Sequence, residues 1–435
     1  MTMKHFSFSC QGESHKSTDK PCQDSSSSYS IDDVSIAIVC DGHGGERYFR
    51  SDVGARCCVR ITEEAIKQFV ACVDKSLFTG KQFTQRKALS ESDSLDKLND
   101  VDKALRQLFS SIIFAWNNEI EQYTNEYPPT EDEIKKVEPK YIEALRNKVS
   151  LEKIYGCTLM AYVHTKDYWF AFHIGDGKCI SLHNDEPNIW KEPIPWDERC
   201  FLNKTTSICD SAALDEFRYC YQGDGKYPAT IFLGSDGMDD SFGPVENLVD
   251  FYMEVSKLLA KGNDDKAMQE VRETLPILSK KGSQDDMSLA YVYDLNALID
   301  LIPKILLYQI DILENKISNL KNKIVELKKR SELISNSDEQ KDIIERNYAI
   351  KDIERYFNEI KSINNKLNRR KEEYNQIKPG TYTIGNDITI DVEADGRKNK
   401  SNNVISDNNK TDTKNKKKKK KNNKKKKKNK KNKKK

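Results

Sequence analysis

Val34-Ser35-Ile36-Ala37-Ile38-Val39-Cys40-Asp41-Gly42-His43-Gly44-Gly45 decides the reading of this chain. Its first seven residues are apolar and β-branched enough to read as a buried strand, which ends abruptly in an acid and a glycine-rich turn. Two more short apolar runs end in the same way. Tyr168–Ile174 leads into Gly175-Asp176-Gly177, and Thr230–Gly234 leads into Ser235-Asp236-Gly237. A fourth run reverses the order, with Asp285-Asp286 directly before Met287–Tyr293. In an antiparallel sheet the end of one strand lies beside the start of its neighbour, so these aspartates are able to gather on one edge. Carboxylates crowded at a sheet rim repel one another unless cations sit between them. A donor set made only of oxygen points to Mg²⁺ or Mn²⁺ rather than zinc. Asp-Gly after a strand is also an ordinary turn, so spacing alone leaves the metal site and the plain turn equally open.

The rest of the first 296 residues predicts an α+β fold. Thr158–His164 and Tyr168–Ile174 flank Thr165-Lys166-Asp167 and read as a hairpin. One helical pattern follows Gly45 and runs through Val59, Ile66, Phe69 and Val70. Another carries Val101, Leu105, Leu108, Ile112, Ala115 and Trp116 at spacings of three and four.

From Ala297 the pattern changes. Ile310, Leu313, Ile317, Leu320, Ile324 and Leu327 form a heptad seam, with Pro303 placed as a first-turn proline. The seam lapses at Ser335-Asn336-Ser337, and Ser337 with Gln340 reads as a capping box opening a second helix. That helix has its seam at Ile350, Ile353, Phe357, Ile360, Asn364 and Leu367. Residues 297–378 are therefore expected to form an antiparallel helical hairpin or, alternatively, a coiled coil between chains. Beyond Pro379-Gly380, Tyr382, Ile384, Ile388 and Ile390 suggest a small hairpin. Residues from about 393 have almost nothing to bury and read as disordered.

Charge divides the chain in two. Residues 414–435 hold 17 lysines and five asparagines and nothing else, and taking 17 charges from the overall +3 leaves −14 for residues 1–413. The tail offers charge without base readout or stacking rings, so nonspecific attachment to RNA, DNA or an anionic surface is the partner it implies. The eleven cysteines are scattered, without a C-x-x-C, and no apolar run reaches membrane-spanning length. A reduced, cytoplasmic protein is the expectation.

Asp41-Gly42-His43-Gly44-Gly45, Gly156-Cys157-Thr158, Gly175-Asp176-Gly177, Ser235-Asp236-Gly237-Met238-Asp239-Asp240 and Ser283-Gln284-Asp285-Asp286-Met287-Ser288 occur in this order. In sequence and context the set resembles the type 2C (metal-dependent, PPM) protein phosphatases over residues 5–295. The resemblance implies two antiparallel sheets packed face to face between helices, with a binuclear Mg²⁺ or Mn²⁺ centre at one end. It implies that Asp41 bridges both ions, that Gly42 offers a carbonyl, and that Asp236 and Asp285 complete a shell. Asp176 and Asp240 match positions that hold a third, weaker ion together with Asp236. Asp24 matches the early acid that holds metal-bound water, and His43 the general acid. Relatives carry an arginine where this chain has Asp19; Lys16, Lys20 and His15 are the nearby candidates to replace it. The usual Glu-Asp pair reads Gln23-Asp24, and the usual Asp-Asn reads Asp285-Asp286.

The implied activity is hydrolysis of phosphoserine and phosphothreonine in phosphoproteins, by hydroxide from a water acidified between two cations. The alternative is a catalytically weak, phosphatase-like scaffold that binds phosphoproteins and is tethered to a polyanion by its lysines. Self-association through the helical region is compatible with both.

Overall fold

A computed structural model of the protein describes residues 3–89, 95–147, 149–184, 188–200, 204–334 and 339–377. Its centre is the strand quoted above, β3 (Val34–Cys40). Ile36, Ile38 and Cys40 pack among outer helices, whereas Ala37 and Val39 pack into the opposite sheet. A strand buried on both faces needs a continuous apolar run, which is why no polar alternation marks it.

β3 lies in a six-stranded antiparallel sheet ordered β2 (Ser25–Ile31), β3, β5 (Leu159–His164), β6 (Trp169–Ile174), β9 (Arg218–Gln222), β4 (Thr84–Arg86). The facing sheet has five strands, ordered β1 (Lys4–Cys10), β11 (Met287–Tyr293), β10 (Thr230–Gly234), β7 (Lys178–Leu182), β8 (Trp190–Lys191). Between them lie Met160, Tyr162, Trp169, Ala171, Ile231, Leu233, Ala290 and Val292 with Ala37 and Val39. The expected sandwich is present.

α1 (Glu13–Ser17) follows β1, and α2 (Ser51–Cys72) and α3 (Asp100–Glu126) cover the six-stranded sheet. α4 (Glu131–Ile134), α5 (Pro139–Arg146) and α6 (Ala213–Glu216) are short connections. α7 (Asp236–Phe242), α8 (Val245–Ala260) and α9 (Asp264–Lys281) cover the five-stranded sheet. Serine-rich β1 and β2 carried no strand signal in the sequence. They close the sandwich edge with polar pairs instead, Ser9 Oγ to Ser26 Oγ at 2.8 Å and His5 Nδ1 to Ser28 Oγ at 3.0 Å.

α10 (Leu295–Leu333) and α11 (Gln340–Gln376) form an antiparallel hairpin within one chain, as Lys316–Glu359 and Lys371–Glu314 contacts show. Three details differ from the sequence reading. α10 starts at Leu295 with Asp294 as its cap, so Pro303 sits two turns inside the helix. The second helix has Glu339 at its N-cap, and Ser335–Ser337 lie outside the described residues, as do the 382–390 hairpin and the lysine tail. The α11 seam is Ala349, Ile353, Tyr356, Ile360, Ile363 and Leu367. Ile350 and Phe357, expected there, are 45% and 51% exposed, and Asn364 is exposed too. Phe357 instead lies under Lys328, 5.6 Å from its ring centroid. Ile353, Ile360 and Leu367 stand as expected; moving only the alternate positions by one residue still follows the helical period, so apolar spacing by itself does not fix which neighbour faces the partner.

The position 296 boundary falls within α10. Leu298, Leu301, Ile302, Ile305 and Leu306 share a core with α8 and β11. Beyond them the hairpin is fastened by buried charge. Lys257 Nζ, with a fully buried side chain, lies 2.8 Å from Glu254 Oε1 and 3.2 Å from Glu373 Oε2. Gln309 Nε2 donates to Glu254 at 2.8 Å and to Asp250 at 2.6 Å, and Arg370 joins Glu254 and Glu373. Buried ions in such a network are held only while each has its partner. Lys257→Ala is expected to lower the free energy of unfolding by about 3–5 kcal/mol. Urea denaturation of the full chain measures this, and a change under 1 kcal/mol contradicts it.

Candidate metal centre

Strand register brings the acidic ends together. Ser25 pairs with Cys40, Leu159 with Ile174, and Gly234 with both Lys178 and Leu289. The ends of β3, β6 and β10 therefore lie beside the starts of β2, β5, β7 and β11. Asp24, Asp41, Asp176, Asp236 and Asp285 all lie at that end of the sandwich, and Asp240 joins them from the first turns of α7.

The backbone beneath Asp41 is fixed from both sides. Asp41 N–H donates to Thr158 Oγ1 at 3.0 Å, and Thr158 N–H donates to the Asp41 carbonyl at 2.8 Å. Gly42 bridges to Cys157, and a Cβ there would lie 2.4 Å from the Gln23 carbonyl oxygen, so only glycine fits. His43 N–H donates to the Gly156 carbonyl. Its ring lies edge-on to Tyr48 at 4.7 Å, with Nε2 2.7 Å from Ser207 Oγ. Burial pushes the His43 imidazole down to about 4, so at neutral pH it carries no charge.

The carboxylates sense one another strongly. Burial, then the charges of Asp236 and Asp24, hold Asp41 well above the usual carboxylate range. Burial raises Asp236 to about 7, with Asp176, Asp285 and Asp240 adding to the rise and a hydrogen bond with Asp41 opposing it. Asp24 is raised by burial and by Asp286 and Asp236, and its Oδ2 has no protein partner although the residue is buried. Asp176 and Asp240 are raised as well, each chiefly by burial. Such a set does not ionise together without positive charge among its members. Oxygen donors, mutual repulsion and an orphaned buried carboxylate oxygen all fit hard divalent cations.

Asp285 and Asp286 separate into two roles. Asp286 Oδ1 accepts from Gly12 N–H and Oδ2 from Gln23 N–H, both at 2.6 Å, and His15 Nδ1 lies 2.9 Å from Oδ2. Burial works against ionisation of Asp286, but His15 and the two N–H groups outweigh it and hold the carboxyl below its usual range. The Asp285 side chain is about half exposed and raises Asp24, Asp236 and Asp240. Among the described residues, His15, Asp285 and Asp286 have ligand atoms within 4.8 Å of one another. No spacing in the sequence singled out His15 for this. Asp286 is already saturated with donors, so the trio acts as a latch that clamps Gly12, α1 and the Gln23-Asp24 turn onto β11.

That latch has a pH window. Asp286, depressed on folding, contributes stability above the ordinary carboxylate pKa of about 4 and loses it as pH falls through its folded value. His15, raised chiefly by its hydrogen bond to Asp286, contributes below about 6.5 and loses it as pH rises through its higher folded value. In EDTA, the stability difference between the native chain and His15→Ala should peak between about pH 4 and 6.5 and narrow on both sides. A difference that is flat from pH 3 to 9 contradicts the latch.

Residues 11–276 match the model of a family described as protein phosphatase 2C. No curated protein matches the chain. Among solved structures, a bacterial serine phosphatase is 13% identical, with 67% of this chain and 97% of that one covered and a TM-score of 0.40. The catalytic domain of the serine/threonine protein phosphatase PstP, solved with two manganese ions, is 14% identical, with 67% and 99% covered and a TM-score of 0.38. Stp1 from Staphylococcus aureus is 12% identical, with 68% and 96% covered and a TM-score of 0.39. The family match spans well over half of the 435 residues and contains most of the acidic rim. The chain belongs to the protein phosphatase 2C family of Mg²⁺- or Mn²⁺-dependent serine/threonine protein phosphatases.

Proposed function

We propose that the acidic rim holds two divalent cations and that the chain uses them to hydrolyse phosphoserine and phosphothreonine by direct attack of water at phosphorus. The observation that carries this reading is the convergence of carboxylates at one end of the sandwich, where Asp24, Asp41, Asp176, Asp236 and Asp240 are each raised chiefly by burial. Asp41 would bridge the ions, the Gly42 carbonyl would face one, and Asp236 and Asp285 would complete a shell. Asp176 and Asp240, with Asp236, would hold a third and weaker ion, and buried Asp24 would accept from coordinated water. When bound, the cations supply an acidified water and offset charge on the phosphoryl oxygens.

The remaining work falls to this chain's own side chains. His43 is neutral when the site is free of substrate. A phosphoryl dianion beside it would raise its pKa so that it takes up a proton from solvent, and it then passes that proton to the departing seryl or threonyl oxygen. Ser207 Oγ, 2.7 Å from Nε2, fixes the ring's direction. Of the three candidates to grip the phosphate in place of the arginine, His15 is engaged by Asp286. Lys20 Nζ reaches the Gly44 carbonyl at 3.3 Å, directly beside His43. Asp19, at φ 56°, turns the chain so that Lys20 stands at the rim. Lys20 is therefore the group assigned here to the substrate phosphate.

The hairpin beyond Leu306 is best read as an arm on the catalytic body, and the lysine tract as a salt-sensitive attachment to polyanions. No helix among the described residues is long and apolar enough to cross a membrane.

Two measurements test the chemistry. With Mn²⁺ present, His43→Ala should slow hydrolysis of a phosphoserine peptide by roughly 10²–10⁴-fold. p-Nitrophenyl phosphate should be affected far less, because its leaving group needs no proton. Equal losses on both substrates rule out proton donation, and activity that survives EDTA or Asp236→Asn rules out the metal centre. Lys20→Ala should raise KM for either substrate by about tenfold, the worth of one charge-assisted hydrogen bond, with little change in kcat. An unchanged KM places the phosphate elsewhere.

A further inference from the structure

Two oppositely charged side chains near His43 belong neither to the acidic rim nor to any motif of the sequence. Lys153 lies in the 3-10 turn Leu151–Tyr155 and Asp210 in the turn before α6, and Lys153 Nζ donates to Asp210 Oδ1 at 2.7 Å. Each belongs to one of two segments that hold the histidine. Gly156 N–H donates to the Lys153 carbonyl at 3.2 Å, and the Gly156 carbonyl accepts from His43 N–H at 3.1 Å. On the other segment, Asp210 Oδ2 accepts from Ser207 N–H at 2.9 Å, and Asp210 N–H donates to the Ser207 carbonyl at 3.0 Å. Ser207 Oγ then meets His43 Nε2 at 2.7 Å. His43 is thus held by its backbone from one segment and by its ring from the other. The ion pair ties the two segments together.

The fit around the ring is close. A Cβ at Gly156 would lie 2.8 Å from both His43 Cδ2 and Cys209 Sγ, so imidazole, thiol and backbone meet there. Ser207 is buried, and its Oγ also donates to the Cys157 carbonyl at 3.0 Å. Ile208 N–H donates to that same carbonyl and keeps the segments adjacent, while Asp210 shapes the turn that aims the Ser207 hydroxyl. A turn lacks the ladder that fixes a strand, so its side-chain bonds decide how precisely it presents a group. The Lys153 and Asp210 side chains are only 19% and 33% exposed, so water and salt screen the pair less than one on the open surface. Burial is the largest influence on the His43 pKa, and Asp210 and Lys153 follow with opposite signs. The pair therefore acts on His43 through position more than through field.

We propose that Asp210, held by Lys153, is a positioning residue for His43, fixing the turn from which Ser207 Oγ holds the imidazole in place for proton donation. The proposal rests on the reading of His43 as general acid and goes beyond it by naming the residues that set the ring. Ser207 occupies Nε2, which leaves Nδ1 as the nitrogen that passes the proton to the departing seryl or threonyl oxygen and returns unprotonated. A ring displaced by about 1 Å loses much of the advantage of a prepositioned acid. The carboxylates of the rim keep their own anchors, so the loss falls on proton transfer alone.

The experiment measures kcat and KM of the full chain with Mn²⁺ on a phosphoserine peptide and on p-nitrophenyl phosphate. It compares the native chain with Asp210→Ala, Asp210→Asn, His43→Ala and a chain carrying both His43→Ala and Asp210→Ala. Asp210→Ala should lower kcat on the peptide by about tenfold with KM nearly unchanged, and should alter p-nitrophenyl phosphate turnover far less. Asp210→Asn, which keeps an oxygen for Ser207 N–H, should recover part of the loss. On the His43→Ala background, Asp210→Ala should cost less than about a further twofold, because it acts only through the ring. A native kcat in Asp210→Ala overturns the proposal. So do equal losses on both substrates, or a tenfold loss that persists without His43, because either pattern marks a general structural role. Failure of the general-acid reading looks different: His43→Ala would itself slow both substrates equally, and the proposal would fall with it.

Discussion

Mutual repulsion among buried carboxylates is the constraint on which this structure turns. Burial raises Asp24, Asp41 and Asp236, the charge of Asp236 adds to the rise of Asp24 and Asp41, and Asp176, Asp285 and Asp240 add to that of Asp236. A protein tolerates such a concentration only where it brings in positive charge, so the rim specifies its occupants through electrostatics rather than a preformed fit. The fold meets that constraint with rigidity. Thr158 locks the Asp41 backbone, Gly42 fits only without a Cβ, and Asp286 clamps the amino-terminal segment onto β11.

Asp286 shows how a change of charge is absorbed. The chain has a second acid next to Asp285, where the resemblance drawn from its sequence implies a neutral amide. Placed loose at the rim, it would worsen the repulsion. Buried beneath it, with two backbone N–H groups as donors and His15 2.9 Å away, it becomes structural, while the Asp285 side chain stays about half exposed. Asp19 takes a left-handed conformation, and Lys20 directly after it reaches the Gly44 carbonyl beside His43.

The hairpin is joined to the catalytic body by two kinds of contact. The first turns of α10 contribute apolar side chains to the core over the five-stranded sheet, and the end of α11 contributes Arg370 and Glu373 to the charge network around Lys257. α8, which carries Lys257 and Glu254, packs against α7, the helix that opens with Asp236. Apolar contact is insensitive to exact partner geometry, whereas a buried ionic network is satisfied in one arrangement only. The network therefore fixes how the arm is set on the body.

Much was legible in the sequence. The strands at 34–40, 159–164, 169–174, 230–234 and 287–293 announce themselves because each is buried on both faces and must be apolar throughout. The acids at their ends are visible because Asp-Gly interrupts those runs abruptly. β1 and β2 were silent, since their serines pair with each other across the sandwich edge and leave no apolar period. Local pattern found Ile353, Ile360 and Leu367 of the second seam but took Ile350, Phe357 and Asn364 in place of their neighbours Ala349, Tyr356 and Ile363, and it put Pro303 at a helix start that lies eight residues earlier. Sequence alone determined which segments are strands and helices and which residue types could bind a cation, because periodicity and composition are local properties. Which of Asp285 and Asp286 is buried among donors, and how Asp24, Asp41, Asp176 and Asp236 come to one end of the sandwich, were decided only by tertiary structure. Those relations depend on strand register and on hydrogen bonds between residues up to hundreds of positions apart, and no local pattern encodes them.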